Sequence, residues 1–217
     1  MLLYYIKTML NKHIYKYISQ LVLLSLLFTL ISCTVINDMS SKNKVINTLE
    51  RISLNYYKID KLLLVNIENQ EMYLLQKGTI INKYPISTSV YGTGSEINSL
   101  KTPLGRHVIV QKIGKGLPFA AVLKGREWTG GIANIIKDPI DTQFDVVTSR
   151  ILWLSGLEEG LNLGPGVDSK SRYIYIHGTA EEGLIGQPAS DGCVRMYNRD
   201  VIKLFDKVDT KTEVWIN

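Results

Sequence analysis

The chain has 217 residues, 45% of them hydrophobic and 21% charged, which suits a single globular domain large enough to bury a core. Its formal charge of +5 invites a nucleic-acid reading, but Lys7, Lys12 and Lys16 lie in the first 32 residues, which carry no acid. The remaining 22 basic and 20 acidic residues leave only +2, with no Lys/Arg block, so nucleic acid is excluded as a partner.

Residues 1–32 have the form of an export signal. A basic, polar stretch ending near Gln20 precedes the apolar run "LVLLSLLFTLIS", Leu21 to Ser32. Twelve helical residues span only about 18 Å, short of the ~30 Å hydrocarbon core of a bilayer, so a signal core is favoured over a permanent span. The run ends in "LISC", which resembles a lipoprotein signal, and that resemblance implies lipid on Cys33 and membrane attachment through it. Thr34 at the second mature position resembles outer-membrane sorting signals. The expected location is therefore the cell envelope or periplasm, as an outer-membrane lipoprotein. If Cys33 carries lipid, Cys193, the other of the two cysteines, has no intramolecular partner in an oxidising compartment.

Residues 33–58 are polar and irregular and read as a tether, leaving 59–217 as the folded domain. "LLLVNI", "EMYLL" and "TIINKYPISTSV", punctuated by "ENQ" and "KG", predict a meander of three antiparallel strands. A glycine-rich loop, "YGTGSEINSLKTPLG", precedes a strand over "RHVIVQKI". Residues 113–145 hold five glycines and two prolines and read as a long insertion of loops. "DVVTSRILWLSG" and "SRYIYIHG" predict two further strands. "NRDVIKLFDKV" places apolar residues at 201, 202, 204, 205 and 208, one face of a short helix capped by Asn198, and "TEVWIN" closes as a strand. The predicted class is β-rich with one helix near the C-terminus.

The chemistry concentrates in "YIYIHGTAEEGLIGQPASDGCVRM". His177 ends a buried strand and Cys193 follows sixteen positions later, a separation that lets the chain leave the strand and return. A cysteine becomes a useful nucleophile when a base takes its proton. His177 is placed to be that base, with the Gly178 carbonyl fixing its tautomer. The amides around Gly192 and Cys193 are candidates to face an oxyanion, at about 3 kcal/mol per donor. Ser190 reads as a loop brace. A core histidine and an inert buried thiol are the bland alternative. His107 lies in a distant strand, and with no CxxC and no HExxH neither a metal nor a cofactor is expected.

These residues resemble the YkuD-type L,D-transpeptidases, including the ErfK/YbiS group. The signature is matched by His177, Ser190, Gly192, Cys193, Val194, Arg195 and Met196, and "KTPLG" matches a second family segment. The resemblance spans about Leu62 to Asn217. It implies a β-sandwich of mixed sheets with the short helix after the catalytic cysteine. It also implies peptidoglycan stem tetrapeptides as substrate: Cys193 forms a thioester with the third residue, D-alanine leaves, and an amine forms a 3–3 cross-link or anchors a wall protein. Arg195 matches the family's arginine and is expected either to clamp a substrate carboxylate or to brace the loop.

Many family members have histidine before the Gly-Cys pair, where this chain has Asp191, either pointing outward or paired with Arg195. Two alternatives stay open on sequence: an L,D-carboxypeptidase using water, and a non-catalytic wall-binding lipoprotein. Papain-like and NlpC/P60 peptidases place cysteine before histidine, the reverse of this order. Trp128, in the insertion, is either a cleft platform or a surface anchor.

Overall fold

The computed structural model describes residues 58–142 and 145–217, together with the single positions 20, 25, 45 and 47. Those four positions and Lys58 apart, the expected signal, Cys33 and the expected tether lie outside this description. Within it the expected β-rich class holds, with ten strands and one α-helix.

Strands β1 (Lys61–Asn66), β2 (Glu71–Gln76) and β3 (Thr79–Ser87) form the expected antiparallel meander. Gln76 pairs with Thr79 across Lys77 and Gly78, both at positive φ, as a two-residue turn of type I′ requires. Strand β4 (Gly105–Ile113) follows the glycine-rich loop. The segment 113–145 corrects the sequence reading, because it holds a hairpin of β5 (Ala121–Lys124) and β6 (Glu127–Ile132). Its turn is Gly125-Arg126, again both at positive φ. Every residue of β6 is exposed, so no alternation of apolar and polar residues marked it as a strand.

Strand β7 (Val147–Gly156) is as predicted, whereas β8 (Tyr175–Thr179) begins four residues later than the sequence suggested. Ser171 to Tyr173 form a turn instead, in which the Ser171 amide donates to Asp168 Oδ1 at 2.6 Å and Tyr173 has φ +59°. Next come β9 (Val194–Met196), helix α1 (Asn198–Lys207) and β10 (Glu213–Ile216). Strand β9, three buried residues directly after Cys193, was not anticipated.

The strands form one mixed sheet in the order β4-β10-β1-β2-β3-β9-β8-β7-β5-β6. Its two layers are parts of this single sheet, because β4 also pairs with β7 and closes it on itself. The enclosed core includes Leu63, Leu74, Ile109, Leu154, Ile176 and Val194, and α1 adds Val201, Leu204 and Phe205. Closure removes most free edges and fixes register, since a one-residue slip would expose these side chains.

The cap of α1 also differs from expectation. Tyr197 occupies the N-cap without a side-chain bond, and Asn198 is the first helical residue. Its backbone amide donates to Glu182 Oε1 at 2.8 Å, so a carboxylate from a distant turn does the capping. The Asn198 side chain is buried, accepting from Thr148 and Ser149 hydroxyls at 2.6 Å and donating to Thr179 O at 2.7 Å.

His107 is a core residue, with Nδ1 3.0 Å from Gly105 O and Nε2 3.0 Å from Ser169 Oγ. Burial pulls its pKa down to about 4, opposed by the Gly105 carbonyl and reinforced by Arg172. Below pH 6.5 the unfolded chain therefore takes up a proton that the folded chain refuses, so stability falls from pH 6.5 towards pH 4. The loss is about 3 kcal/mol from this residue. Urea titrations across that range should show the decline, and His107→Gln should flatten it; an equal slope in the variant would refute the assignment.

Candidate functional site

Strands β8 and β9 run parallel, with Ile176 opposite Val194 and His177 opposite Arg195. This pairing brings the two halves of the His–Cys stretch onto neighbouring strands. Beyond the ladder, the Tyr175 amide donates to Cys193 Sγ at 3.3 Å, and the thiol faces Tyr173 O at 3.5 Å. Among the described residues no hydrogen bond joins Cys193 to His177. The resting sulfur is held by the backbone at the start of β8, and the imidazole follows two residues along the same strand.

His177 is 1% exposed, and its Nδ1 lies 2.8 Å from Gly178 O. A carbonyl only accepts, so Nδ1 carries the proton and Nε2 keeps its lone pair. Burial holds its pKa below the ordinary histidine range, against Asp145 and the Gly178 carbonyl and with Arg195 adding to the depression. Gly178 must lack a side chain, because a Cβ would sit 2.6 Å from Asn198 Oδ1 and 2.8 Å from Thr148 O.

The loop before Cys193 is braced from several sides. Ser190 Oγ donates to Cys193 O at 2.6 Å and accepts the Gly192 amide at 3.3 Å. Gly192 has φ +115°, and a Cβ there would crowd Lys101 O at 3.2 Å. Thr102, fully buried, donates its hydroxyl to Gly192 O at 3.1 Å and accepts the Ser89 amide at 3.0 Å. Thr102 thus ties the "KTPLG" segment to the cysteine loop. The pairing of "TP" with that loop was invisible in sequence, since the two segments lie ninety positions apart.

Two expectations are corrected here. Gly192 offers no free amide to an oxyanion, because Ser190 Oγ takes it. Arg195 does not present itself to a ligand: its side chain is 0% exposed, and Nη1 meets Glu181 at 2.7 Å and Asp145 at 3.3 Å while Nη2 donates to Ser87 Oγ. Its contacts tie β9 to Glu181 after β8, to Asp145 before β7 and to β3. Asp191 is exposed and makes no ion pair with Arg195, so it points outward. Burial raises its pKa, with Asp145 and Asp141 adding to the effect and Arg195 opposing it.

Beside the thiol lies an aromatic cluster that sequence reasoning missed. Trp153 stands 5.9 Å from Tyr173 and 5.8 Å from Tyr175, ring centre to ring centre, and Arg126 lies 4.6 Å over the Trp153 ring. Trp128 is exposed, its indole N–H donating to Gly131 O at 3.0 Å. A separate cavity of about 450 Å³ is lined by Phe119, Ile135, Lys137, Glu182, Tyr197, Arg199 and Asp200, and neither Cys193 nor His177 reaches it. Among the described residues no group of three His, Cys, Asp or Glu side chains is positioned to hold a metal.

A closed, mixed β-sheet carrying a tautomer-fixed histidine and a loop-braced cysteine on neighbouring parallel strands defines a class of cysteine-and-histidine sheet protein. The chain belongs to the YkuD family: residues 60–216 match the model of the L,D-transpeptidase catalytic domain. It is 49% identical over 49 residues to the protein named L,D-transpeptidase YkuD of Bacillus subtilis, a match covering 23% of this chain and 29% of that one. With L,D-transpeptidase YqjB of the same organism it shares 41% over 54 residues, 24% of this chain and 31% of the relative. The chain thus spans less than a third of the length of these curated relatives. An L,D-transpeptidase from Mycobacterium smegmatis is similar over 73% of this chain and 58% of its own, at 17% identity and a TM-score of 0.43. One from Xylanimonas cellulosilytica is similar over 73% and 61%, at 15% identity and a TM-score of 0.43.

Burial pushes the Cys193 thiol up to about 12; the Tyr175 amide and Arg172 oppose this, while Asp145 and Asp191 add to it. Cys193 is therefore a neutral thiol at neutral pH. Alkylation of Cys193 by iodoacetamide, read by peptide mass spectrometry, should be slow at pH 7 and rise about tenfold per pH unit beyond pH 9. A plateau below pH 8.5 would show a stabilised thiolate instead.

Proposed function

We propose that this chain is a cysteine-dependent L,D-transpeptidase acting on peptidoglycan stem tetrapeptides. The observation that carries the reading is the arrangement on β8 and β9. His177 keeps Nε2 basic through its Nδ1 contact to Gly178 O, and Cys193 Sγ takes the amide of Tyr175 two residues earlier on the same strand.

The low basicity of His177 and the high pKa of Cys193 oppose an ion pair in the empty site. Proton transfer is therefore coupled to attack. As the S–C bond forms to the carbonyl of the third residue, the thiol proton passes to His177 Nε2 and the carbonyl electrons move to oxygen. The Cys193 amide, beside the nucleophile, is the donor we assign to that oxyanion, supplying about 3 kcal/mol. Collapse breaks the C–N bond, and His177 gives its proton to the departing amine of D-alanine. A second amine then attacks the thioester, His177 takes its proton, and the C–S bond breaks to release the product. The sulfur recovers the proton. An amine on another stem peptide yields a 3–3 cross-link; an amine on a wall protein anchors it.

The full chain incubated with disaccharide-tetrapeptide should give dimers lacking one D-alanine, detected by mass spectrometry and absent with Cys193→Ala. Tripeptide alone would make the enzyme a carboxypeptidase. Substantial activity in Cys193→Ala would sink the mechanism.

The export signal and "LISC" support a second part of the proposal, that the chain is lipidated at Cys33 and acts in the envelope. The expressed protein should partition with membranes, and its N-terminal peptide should carry acyl mass at Cys33. Partition unchanged by Cys33→Ala, with an unmodified peptide, would remove the claim.

A further inference from the structure

The reaction proposed above gives no role to Arg126, a cation on the aromatic cluster that holds Cys193. Arg126 sits at the tip of the β5–β6 hairpin, where Lys124 pairs with Glu127 across Gly125 and Arg126. Both turn residues have positive φ, +57° and +72°. The hairpin at Lys77-Gly78 puts its glycine second, whereas here the second position is an arginine. A left-handed backbone is unfavourable for a residue with a Cβ, so a side chain kept there points to a use for that side chain.

The guanidinium lies 4.6 Å over the Trp153 ring and 5.3 Å over Tyr173, and Nη1 donates to Tyr175 OH at 3.4 Å. Tyr173 and Tyr175 are the two residues whose backbone holds Cys193 Sγ. Arg126 is thus fastened to the aromatic ledge that supports the nucleophile. Among the described residues it forms no ion pair with a carboxylate, and its contacts are to the side chains of Trp153, Tyr173 and Tyr175. The other arginine near the thiol, Arg172, is spent: it donates to Lys101 O at 2.7 Å, Gly94 O at 3.3 Å and Ser99 Oγ at 3.3 Å. The hairpin pairs with the main sheet at Val122 and Thr148, and its tip is held against the sheet by the Arg126 contacts.

We propose that Arg126 binds the C-terminal carboxylate of the donor peptide, so that the residue leaving from the Cys193 site must end in a free acid. The inference rests on the donor being a stem peptide cleaved before its last residue, where that carboxylate is only one residue from the scissile carbonyl. A planar fork of N–H donors suits a carboxylate, and stacking on Trp153 and Tyr173 preorganises it.

Two measurements on the full chain test this separately from the reaction. The first compares alkylation of Cys193 by iodoacetate and iodoacetamide, located by peptide mass spectrometry. Arg126→Asn tolerates the left-handed turn, and it should lower the iodoacetate-to-iodoacetamide rate ratio about tenfold, while Arg126→Lys keeps most of it. The second compares the tetrapeptide with its C-terminal amide. The wild type should prefer the acid through KM, and Arg126→Asn should lose the preference while still releasing the terminal residue. An unchanged alkylation ratio in Arg126→Asn, or equal use of acid and amide by the wild type, overturns the proposal. If neither peptide is turned over, the reading of the reaction fails, and the alkylation ratio alone decides the role of Arg126.

Discussion

The buried guanidinium of Arg195 holds the site together. Its charge sits on β9 with no exposure, between Glu181 at the end of β8 and Asp145 ahead of β7, and it reaches Ser87 on β3. Removing such charges from water costs several kcal/mol each, and only close, multiple contacts offset it. Once formed, the cluster admits one placement of β9 against β8, which is the placement that sets Cys193 beside Tyr175 and His177. Glu181 also takes the Thr142 amide at 2.7 Å and the Thr142 hydroxyl, so the segment leading to β7 is held by the same carboxylate. Geometry and electrostatics meet here, because Asp145 and Arg195 act on the His177 imidazole in opposite directions.

That electrostatic setting bears on how exposed Cys193 is to oxidation. A thiolate is the form that attacks disulfides and peroxides and so becomes oxidised. Burial keeps the proton on Cys193, and the neighbouring carboxylates reinforce it. Burial likewise disfavours the charged form of His177, so imidazole and thiol both rest uncharged. Under the mechanism proposed above, proton transfer waits for carbonyl attack, and reactivity then depends on substrate. A permanent thiolate–imidazolium pair would react faster with everything, including oxidants.

Much of this was legible in the sequence, and the failures have physical causes. Strands β1 to β3 announced themselves through buried apolar runs and a Lys-Gly turn, and α1 through its apolar face. Strand β6 did not, because it is wholly exposed and a hydrophobic pattern exists only where burial selects it. Strand β9 was hidden by its brevity, three residues overlapping the motif that drew attention as chemistry. His177, Gly178 and Cys193 were named from local order and Ser190 from the family resemblance, and each lies in the stretch where β8, the loop and β9 meet. Thr102 and Glu181 were missed for a different reason. Each acts on a group distant in sequence, and a hydroxyl or carboxylate carries no sequence mark of which distant partner it will meet.

Asp191 shows how the same setting absorbs a departure from the family pattern. A carboxylate next to the Gly-Cys pair opposes ionisation of the thiol, and it contributes in that direction here. The contribution is the last in order, behind burial and Asp145, and Asp191 is exposed and forms no ion pair with Arg195. The loop geometry does not depend on it either: Ser190, Thr102 and the positive φ of Gly192 fix the turn on both sides. An acidic residue is tolerable at this position because the loop is held from within and the thiol is already neutral. The side chain before Gly192 is then free to vary towards solvent, where it meets whatever approaches the cysteine.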